Sequence, residues 1–221
     1  MNEEFGNVDA LFLDCDGVIL DSVKLKEDAF RAIIVERIPQ HVEKSMEYFL
    51  ANGGTSRIKK FEWIWDNLVG EPLDAAALDE LGCEFADGIY QRMLKCPYVG
   101  GAEEFLEAYH QRWPCHVISG TPDPELNAIL RGRGMGKYFA GIHGSPRNKI
   151  QIGEALLAEH GYQRSKVWFV GDATTDRDAA RGLDVRFVGI DGPHLTPYLD
   201  GNESLIQDMH GLAPVLTRSI D

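Results

Sequence analysis

The chain has 221 residues, of which 44% are hydrophobic, 26% charged and 10% aromatic, a balance typical of a folded globular protein. Its 22 Lys and Arg are outnumbered by 35 Asp and Glu, which gives a net charge of −13. So acidic a chain is unsuited to gripping a phosphate backbone, and we expect no nucleic-acid partner. No run approaches the roughly 18 consecutive apolar residues of a membrane span, so we expect no membrane partner.

The cysteines and the N-terminus both bear on the cellular compartment. Cys15, Cys83, Cys96 and Cys115 are far apart in the sequence and lack CxxC spacing. We therefore expect reduced thiols rather than disulfides or a zinc site. The first six residues carry two glutamates and no basic, apolar secretion signal. Both observations predict a cytoplasmic protein.

Short apolar runs that end in polar residues predict the buried strands of a sheet. They occupy residues 8–13, 115–118, 166–170 and 185–190, with a weaker run at 141–143. Stretches of helical length and spacing lie between them at 102–112, 123–133, 148–160 and 176–183. This alternation predicts an α/β fold with a doubly wound parallel sheet, in which ligands bind beyond the carboxyl ends of the strands.

One interval, between Ser22 and Cys96, contains no strand pattern. Four helix-like stretches follow one another there, at 23–38, 41–50, 56–68 and 75–94. We expect an inserted all-helical cap domain over residues 21–96 and a core domain formed by residues 1–20 and 97–221. From Pro193 onward we expect an edge connection and a terminal helix.

Polar residues that can do chemistry follow the predicted strands. Asp14 and Asp16 come after the first strand, and their i, i+2 spacing points both side chains the same way from an extended chain. The candidates near the other strand ends are Ser119, Gly120, Thr121, Lys149, Asp172 and Asp176. Carboxylates clustered beside one lysine repel one another unless a cation lies among them, and Mg²⁺ prefers such oxygen ligands. The set therefore indicates a phosphoryl-transfer site with Mg²⁺ as cofactor.

These residues lie in four segments that resemble, in the same order, the four motifs of the haloacid dehalogenase superfamily. The segments are DCDGV at 14–18, ISGT at 118–121, Lys149, and GDATTD at 171–176. DGVILDS at 16–22, followed by a helical insertion, resembles the phosphoglycolate phosphatase and β-phosphoglucomutase branch. The resemblance covers nearly the whole chain and implies an α/β core, a helical cap and a small phosphorylated substrate.

The resemblance also implies a catalytic role for each motif residue. Asp14 would attack phosphorus and carry the phosphoryl group. Asp16 would protonate the leaving oxygen and then activate water. Ser119, the Gly120 N–H and Lys149 would hold the phosphoryl oxygens.

A metal role is implied for the carboxylates. Mg²⁺ would be bound by Asp14, the backbone carbonyl of Asp16 and Asp172. Asp176 would bind it too, or orient a water on the metal. Thr121 would be a further substrate contact. The presence of Asp16 argues against the dehalogenases that name the superfamily, because those enzymes lack this second aspartate.

Two cationic residues of the insertion, Arg57 and Lys26, are candidates for contact with the substrate. The segment 54–57, GTSR, resembles a β-phosphoglucomutase loop whose arginine contacts a distal anion, which implies that Arg57 contacts substrate. The alternative for Arg57 is a solvated side chain on the first turn of a helix. Lys26 lies, by counting from Asp14, where the mutase has a catalytic histidine. We expect a surface lysine there, with a substrate contact as the alternative, and this departure favours hydrolysis over mutase chemistry.

The residues therefore predict a Mg²⁺-dependent phosphatase that hydrolyses a small phosphorylated metabolite through an aspartyl-phosphate intermediate. A sugar phosphate or a phosphoglycolate-like acid would fit a capped site. The alternative is a β-phosphoglucomutase-like phosphotransferase. A receiver domain uses similar residues but is shorter and lacks the insertion and the second aspartate. A non-catalytic binding protein would have no need for clustered carboxylates.

Overall fold

The central element is a parallel sheet, seen in a computed structural model that describes residues 8–201 and 203–218. Its strands are β1 Ala10–Leu13, β2 Cys115–Pro122, β3 Gly141–Ser145, β4 Val167–Gly171, β5 Arg186–Ile190 and β6 Ser204–Ile206. They lie in the spatial order β3-β2-β1-β4-β5-β6, and every neighbouring pair is parallel. This is a doubly wound order, and the predicted α/β fold class is confirmed.

Helices cover the sheet and fill the insertion. The α-helices among the described residues are α1 Val23–Arg37, α2 Val42–Ala51, α3 Arg57–Ile64, α4 Ala75–Met93, α5 Ala102–Tyr109, α6 Asp123–Gly132, α7 Lys149–His160, α8 Thr174–Leu183 and α9 Leu212–Arg218. A π-helical turn, Trp65–Val69, extends α3. None of the described helices is both long and apolar enough to cross a bilayer.

The central strand β1 is buried on both faces of the sheet. Because side chains alternate along a strand, Leu11 and Leu13 join one apolar cluster while Phe12 joins another. The cluster around Leu11 and Leu13 includes residues of α5, α6 and α9. The cluster around Phe12 includes residues of α7 and α8. This two-sided burial fixes the carboxyl end of β1 at the middle of one edge of the sheet.

Helices α1 to α4 lie between β1 and α5 in the sequence, and they pack around aromatic side chains that belong to the same apolar cluster as Leu11 and Leu13. The ring of Phe30 lies 4.5 Å from that of Phe49 and 4.6 Å from that of Phe61, between centroids. The edge of Phe85 approaches the same ring from α4, at 6.4 Å. Apolar burial of this kind stabilises a helical unit beside the sheet. That residues 21–96 act as a separate cap domain on a core of 1–20 and 97–221 stays a prediction.

The C-terminal part of the sheet differs from the sequence expectation. Where an edge connection was expected, Ser204–Ile206 forms the short sixth strand beside β5. Its first two residues are exposed, so the segment lacks the apolar run that marks a buried strand. Strand β2 is longer than expected and continues through Ser119, Gly120 and Thr121. The four cysteines are free thiols.

Candidate active site

The candidate residues meet at the carboxyl edge of the sheet. Strand β1 pairs with β2 on one side and with β4 on the other, so the ends of the three strands are neighbours. Asp14 follows β1, Ser119 lies in the C-terminal half of β2, and Asp172 follows β4. A cavity of about 90 Å³ opens at this edge between the sheet and the helical insertion.

Lys149 ties two of the carboxylates together. Its Nζ lies 2.8 Å from Oδ2 of Asp14 and 2.5 Å from Oδ1 of Asp176. The residue opens α7, where Asn148 and Gln151 form a reciprocal capping box that fixes the first turn. Although burial lowers the pKa of Lys149, the charges of Asp14 and Asp176 raise it above its usual range. Lys149 is therefore a fixed, permanently charged ammonium beside Asp14.

Asp14, Asp172 and Asp176 form an acidic cluster that matches a hard cation. Each offers a carboxylate oxygen, and these oxygens lie within 4.8 Å of one another. Burial raises the pKa of Asp172 well above its usual range, and the charges of Asp14 and Asp176 add to that rise. Burial also raises the pKa of Asp176 to about 7, although the charge of Lys149 opposes the rise. The single charge of Lys149 thus does not neutralise the three carboxylates of the cluster. Their carboxylate oxygens are ligands that suit Mg²⁺.

Gly17 allows the acidic cluster to assemble. Its φ is +74°, and a Cβ at this position would lie 2.1 Å from Oδ2 of Asp172. Only glycine adopts that backbone conformation without strain and leaves the carboxylate its space. Glycine is therefore needed at position 17 not only for the turn but also because the Asp172 carboxylate, at the end of β4, lies against it.

The Asp16 carboxylate is outside that cluster and contacts residues of the insertion. Its Oδ1 accepts a hydrogen bond of 2.5 Å from Ser22 Oγ, and its Oδ2 accepts one of 2.6 Å from Lys26 Nζ. Burial raises the pKa of Asp16, but the charge of Lys26 and these two hydrogen bonds outweigh burial and lower it. The two aspartates of the DxD segment thus each have their own cation, Lys149 for Asp14 and Lys26 for Asp16.

The expectation that Lys26 is a surface lysine is wrong. Its side chain is only 14% exposed, and its Nζ also donates to Thr121 Oγ1 at 2.8 Å. The physical reason is that α1 starts at Val23, directly above the site, so its first turn lies against the carboxyl edge of β2. Counting along the sequence gives the position of Lys26 but not the face of α1 that covers the sheet.

Ser119, Gly120 and Thr121 line the same cavity, whereas Lys149 lines an adjoining cavity that shares Ser119 and Gly120 with it. Ser119 is buried, and its Oγ accepts a hydrogen bond of 3.1 Å from the backbone N–H of Thr121. Gly120 lies between them, and a Cβ there would lie 2.4 Å from the carbonyl oxygen of Gly54. Glycine at this position therefore lets the loop before α3 approach β2. Hydroxyls and backbone N–H groups are suitable donors to an anion at such a place.

Arg57 is held by the sheet domain rather than by solvent. Its Nη2 donates to Oε2 of Glu125, on α6, at 2.6 Å, and both side chains are about nine-tenths buried. The guanidinium also lies over the ring of Phe85, 4.9 Å from its centroid. Arg57 lines the cavity, and its Nε has no partner among the described residues, so a substrate contact stays a prediction.

Two contacts of the insertion escaped the sequence analysis. Thr175 Oγ1 donates to the carbonyl oxygen of Gly53 at 2.9 Å and so joins the start of α8 to the loop before α3. Lys60 lines the cavity from α3, with its Nζ 3.1 Å from the carbonyl oxygen of Phe49. Lys60 lies three residues after Arg57, on the same side of the helix. That spacing was a signal available in the sequence.

Comparison with known proteins places this geometry in a family. A family model described as haloacid dehalogenase-like hydrolase matches residues 8–184. Phosphoglycolate phosphatase from Pectobacterium atrosepticum is 24% identical over 197 residues, which cover 85% of this chain and 82% of that protein. The residues that the family model matches include all four motif segments.

Solved structures of low sequence identity share the fold. CbbY from Rhodobacter sphaeroides, in complex with phosphate, has a TM-score of 0.74 at 16% identity, covering 93% of this chain and 96% of that one. The HAD protein YfnB from Bacillus subtilis, bound to magnesium, has a TM-score of 0.68 at 15% identity, covering 95% of this chain and 99% of that one. Since the family model spans most of the chain and the fold agrees, this protein belongs to the haloacid dehalogenase-like hydrolases and is an enzyme.

Proposed function

We propose that this hydrolase is a Mg²⁺-dependent phosphatase that acts on a small phosphorylated metabolite, a sugar phosphate or a phosphoglycolate-like acid. The observation that carries the proposal is the separate pairing of the two aspartates. Asp14 is paired with Lys149, while Asp16 is paired with Lys26, at one cavity. Two carboxylates with different partners can take different roles at one P–O bond, one as nucleophile and the other as acid and base.

The chemistry follows from those two roles. A carboxylate oxygen of Asp14 forms a bond to phosphorus while the bond from phosphorus to the leaving oxygen breaks. The pairing with Lys26 lowers the pKa of Asp16 and favours its ionised form, so Asp16 must first take up a proton, which it then gives to that leaving oxygen. It then takes a proton from a water that attacks the aspartyl phosphate, which releases inorganic phosphate and restores Asp14.

Charge on the phosphoryl group is met by groups that are fixed before substrate arrives. Lys149 Nζ, the Ser119 hydroxyl and the Gly120 N–H would hold its oxygens, with Thr121 beside them. Preorganised donors of this kind stabilise developing charge without reorganising during the reaction. Lys149 is well suited because its ammonium is already held against Asp14.

The acidic cluster supplies the proposed metal site. Asp14, Asp172 and Asp176 would hold Mg²⁺, together with the backbone carbonyl of Asp16. When bound, the ion neutralises phosphoryl charge and orients the group for attack. The magnesium found with YfnB and the phosphate found with CbbY support this assignment by analogy.

The helices α1 to α4 would act as a cap that covers the substrate. Lys26 and Arg57 reach the cavity from them, and the loop before α3 contacts both β2 and α8. Closure would exclude bulk water while the phosphoryl group passes from the substrate to Asp14, and the attacking water would enter when the cap opens to release the leaving group. A cytoplasmic location and small-molecule substrates, without nucleic acid or membrane partners, complete the proposal.

The test is the release of inorganic phosphate from a panel of phosphorylated metabolites, with Mg²⁺ and with chelator. Asp14→Asn serves as the blank, and a sugar bisphosphate in the panel tests the mutase alternative. We expect Mg²⁺-dependent release that the variant abolishes. Normal turnover by Asp14→Asn would overturn the nucleophile assignment. Isomerisation without net phosphate release would favour the phosphotransferase.

A further inference from the structure

Lys60 is a buried cation that the proposed chemistry does not use. It is 4% exposed and lies in the wall of the cavity that the insertion provides. Its Nζ donates to the carbonyl oxygen of Phe49 at 3.1 Å and lies 3.8 Å from the centroid of the Phe49 ring. One hydrogen bond leaves an ammonium with two further donors, and these have no acceptor among the hydrogen bonds of the described residues.

The other cations that reach this cavity are neutralised by carboxylates. Lys26 and Arg57, which line it, are paired with Asp16 and Glu125. Lys149, which lines the adjoining cavity, is paired with Asp14 and Asp176. Lys60 has no carboxylate within 4.0 Å among residues 8–201 and 203–218.

A buried ammonium without a counter-ion is unfavourable. Burial, with the nearby charge of Lys26, lowers the pKa of Lys60 to about 7, although the charge of Asp16 acts in the opposite direction. An apolar side chain would fill this place at lower cost, as Phe49 and Phe85 do in the same wall. A lysine at this apolar position is explained if an anion enters the cavity and pairs with its ammonium group.

We propose, on the basis of the phosphatase function above, that Lys60 binds a carboxylate of the substrate and that the substrate is a short phosphorylated hydroxy acid. The phosphoryl group would be held at Asp14 and Lys149, at the sheet side of the cavity. The leaving group would then extend toward α3, where Lys60 offers free donors. Lys60 thus selects the leaving group and takes no part in the transfer of phosphorus.

The charge and the donors of this wall favour a carboxylate over a second phosphate. A phosphate has three terminal oxygens and a charge of about −1.5 to −2 at pH 7, whereas Lys60 offers a single charge. Arg57 has an Nε without a partner among the described residues, but its charge is already paired with Glu125 through Nη2. A carboxylate needs fewer donors, which the ammonium of Lys60 can supply.

The experiment compares 2-phosphoglycolate with ethyl phosphate, in which a methyl group replaces the carboxylate. The kcat/KM of each is measured with Mg²⁺ for the native enzyme, Lys60→Met and Lys60→Gln. Lys59→Met is the matched control, because Lys59 is the exposed neighbour on the same helix. A charge-assisted hydrogen bond corresponds to about a 10- to 100-fold preference.

We expect the native enzyme and Lys59→Met to have a higher kcat/KM for 2-phosphoglycolate than for ethyl phosphate. In Lys60→Met this ratio should fall by about 10- to 100-fold, because the KM for 2-phosphoglycolate rises. Lys60→Gln keeps a donor without the charge and should fall between them. It also provides a second variant if the methionine variant does not fold, which circular dichroism checks. Turnover of ethyl phosphate should change little in either variant.

Two results would overturn the inference while leaving the phosphatase function intact. One is a native enzyme that hydrolyses ethyl phosphate as well as 2-phosphoglycolate, or that prefers a sugar bisphosphate to both. The other is an equal loss on both substrates in the Lys60 variants, which would mean that Lys60 only packs against Phe49. Failure to hydrolyse any phosphomonoester would instead overturn the proposed function itself, and the inference with it.

Discussion

The ammonium of Lys26 lies 2.6 Å from Oδ2 of Asp16 and so joins helix α1 of the insertion to the end of the central strand. Both residues are largely buried, and the hydroxyls of Ser22 and Thr121 complete the network around the carboxylate. The contact fixes the side chain that would serve as acid and base. The insertion therefore contributes a side chain to the site without a bound substrate.

Replacing Lys26 with methionine should lower kcat by about 10- to 100-fold. Methionine keeps the length of the side chain but removes the charge that orients Asp16, and a displaced acid–base group loses part of its ~10²–10⁴-fold contribution. Lys26→Arg should recover part of the loss. The measurement is steady-state phosphate release from the best substrate of the panel.

Lys24→Met is the matched control for that variant. Lys24 lies on the same helix, but it is 72% exposed and pairs with Glu27 and Asp28 at the surface. Its kcat should equal that of the native enzyme. A native kcat in Lys26→Met would show that Asp16 needs no partner from α1.

The Arg57–Glu125 ion pair should stabilise the closed arrangement of α3 on α6. The sequence resemblance predicts that Arg57→Ala weakens a physiological substrate and spares a small aryl phosphate. The observed pairing changes our expectation, because a lost bridge affects every substrate alike. We expect Arg57→Ala and Glu125→Ala to lower kcat/KM by similar factors on both substrates.

A double-mutant cycle on the free energy of unfolding measures the same pair. Breaking a buried pair leaves one charge uncompensated, so we expect a coupling energy of about 2 kcal/mol or more. The pair Arg37–Glu84 is an exposed counterpart within the insertion and should give less than about 1 kcal/mol. If Arg57→Ala lowered kcat/KM for the metabolite but not for the aryl phosphate, and Glu125→Ala did not, the hypothesis of a direct contact between Arg57 and the substrate would be supported instead.

The motif residues were predictable because they depend on chain order and strand direction. Asp14 and Asp172 follow apolar runs, and parallel neighbouring strands bring their carboxyl ends to one edge. Lys26 and Lys60 depend instead on how the insertion packs over that edge. The helical pattern gives the faces of α1 and α3 but not which of them covers the sheet, so the burial of Lys26 was missed.

The sixth strand was missed for a different reason. Ser204–Ile206 has three residues, of which only Ile206 is buried, so its pattern is too short to separate from a connection. It is a strand because β5 offers it an unpaired edge. Pairing partners of this kind are tertiary information that composition and periodicity do not contain.

Mg²⁺ should raise the Tm of the native protein, and Asp172→Asn should lose most of that rise. An ion that binds only the folded protein stabilises it by about 2.7 kcal/mol at 100 times its Kd. The metal-free Asp172→Asn protein should be at least as stable as the metal-free native protein, because one charge of a repelling cluster is gone. Thermal unfolding with chelator and with Mg²⁺ measures both effects.

Asp178→Asn is the control for the metal experiment. Asp178 lies on α8 two residues after Asp176, but its side chain is 61% exposed and pairs with Arg177. Its Mg²⁺-induced rise should match that of the native protein. An equal rise in Asp172→Asn would place the ion elsewhere.

His116 should make the protein less stable in mild acid. Burial lowers the pKa of His116 to about 4, and the neighbouring His160 and His143 contribute. The ordinary value is about 6.5, so between these two pH values the unfolded chain binds a proton that the native chain excludes. The free energy of unfolding therefore falls as pH drops from about 6.5 to about 4, by up to about 3 kcal/mol from this residue.

The measurement is urea unfolding at several pH values for the native protein, His116→Gln and the control His210→Gln. Glutamine keeps a donor near Tyr162, whose hydroxyl lies 3.1 Å from Nε2 of His116, but cannot titrate in this range. Its curve should be flatter between pH 6.5 and pH 4 by about 1–3 kcal/mol, whatever its stability at pH 7. His210→Gln makes the same substitution at an exposed position and controls for the change of residue type. Parallel curves for the native protein and His116→Gln would mean that carboxylates alone set the acid sensitivity.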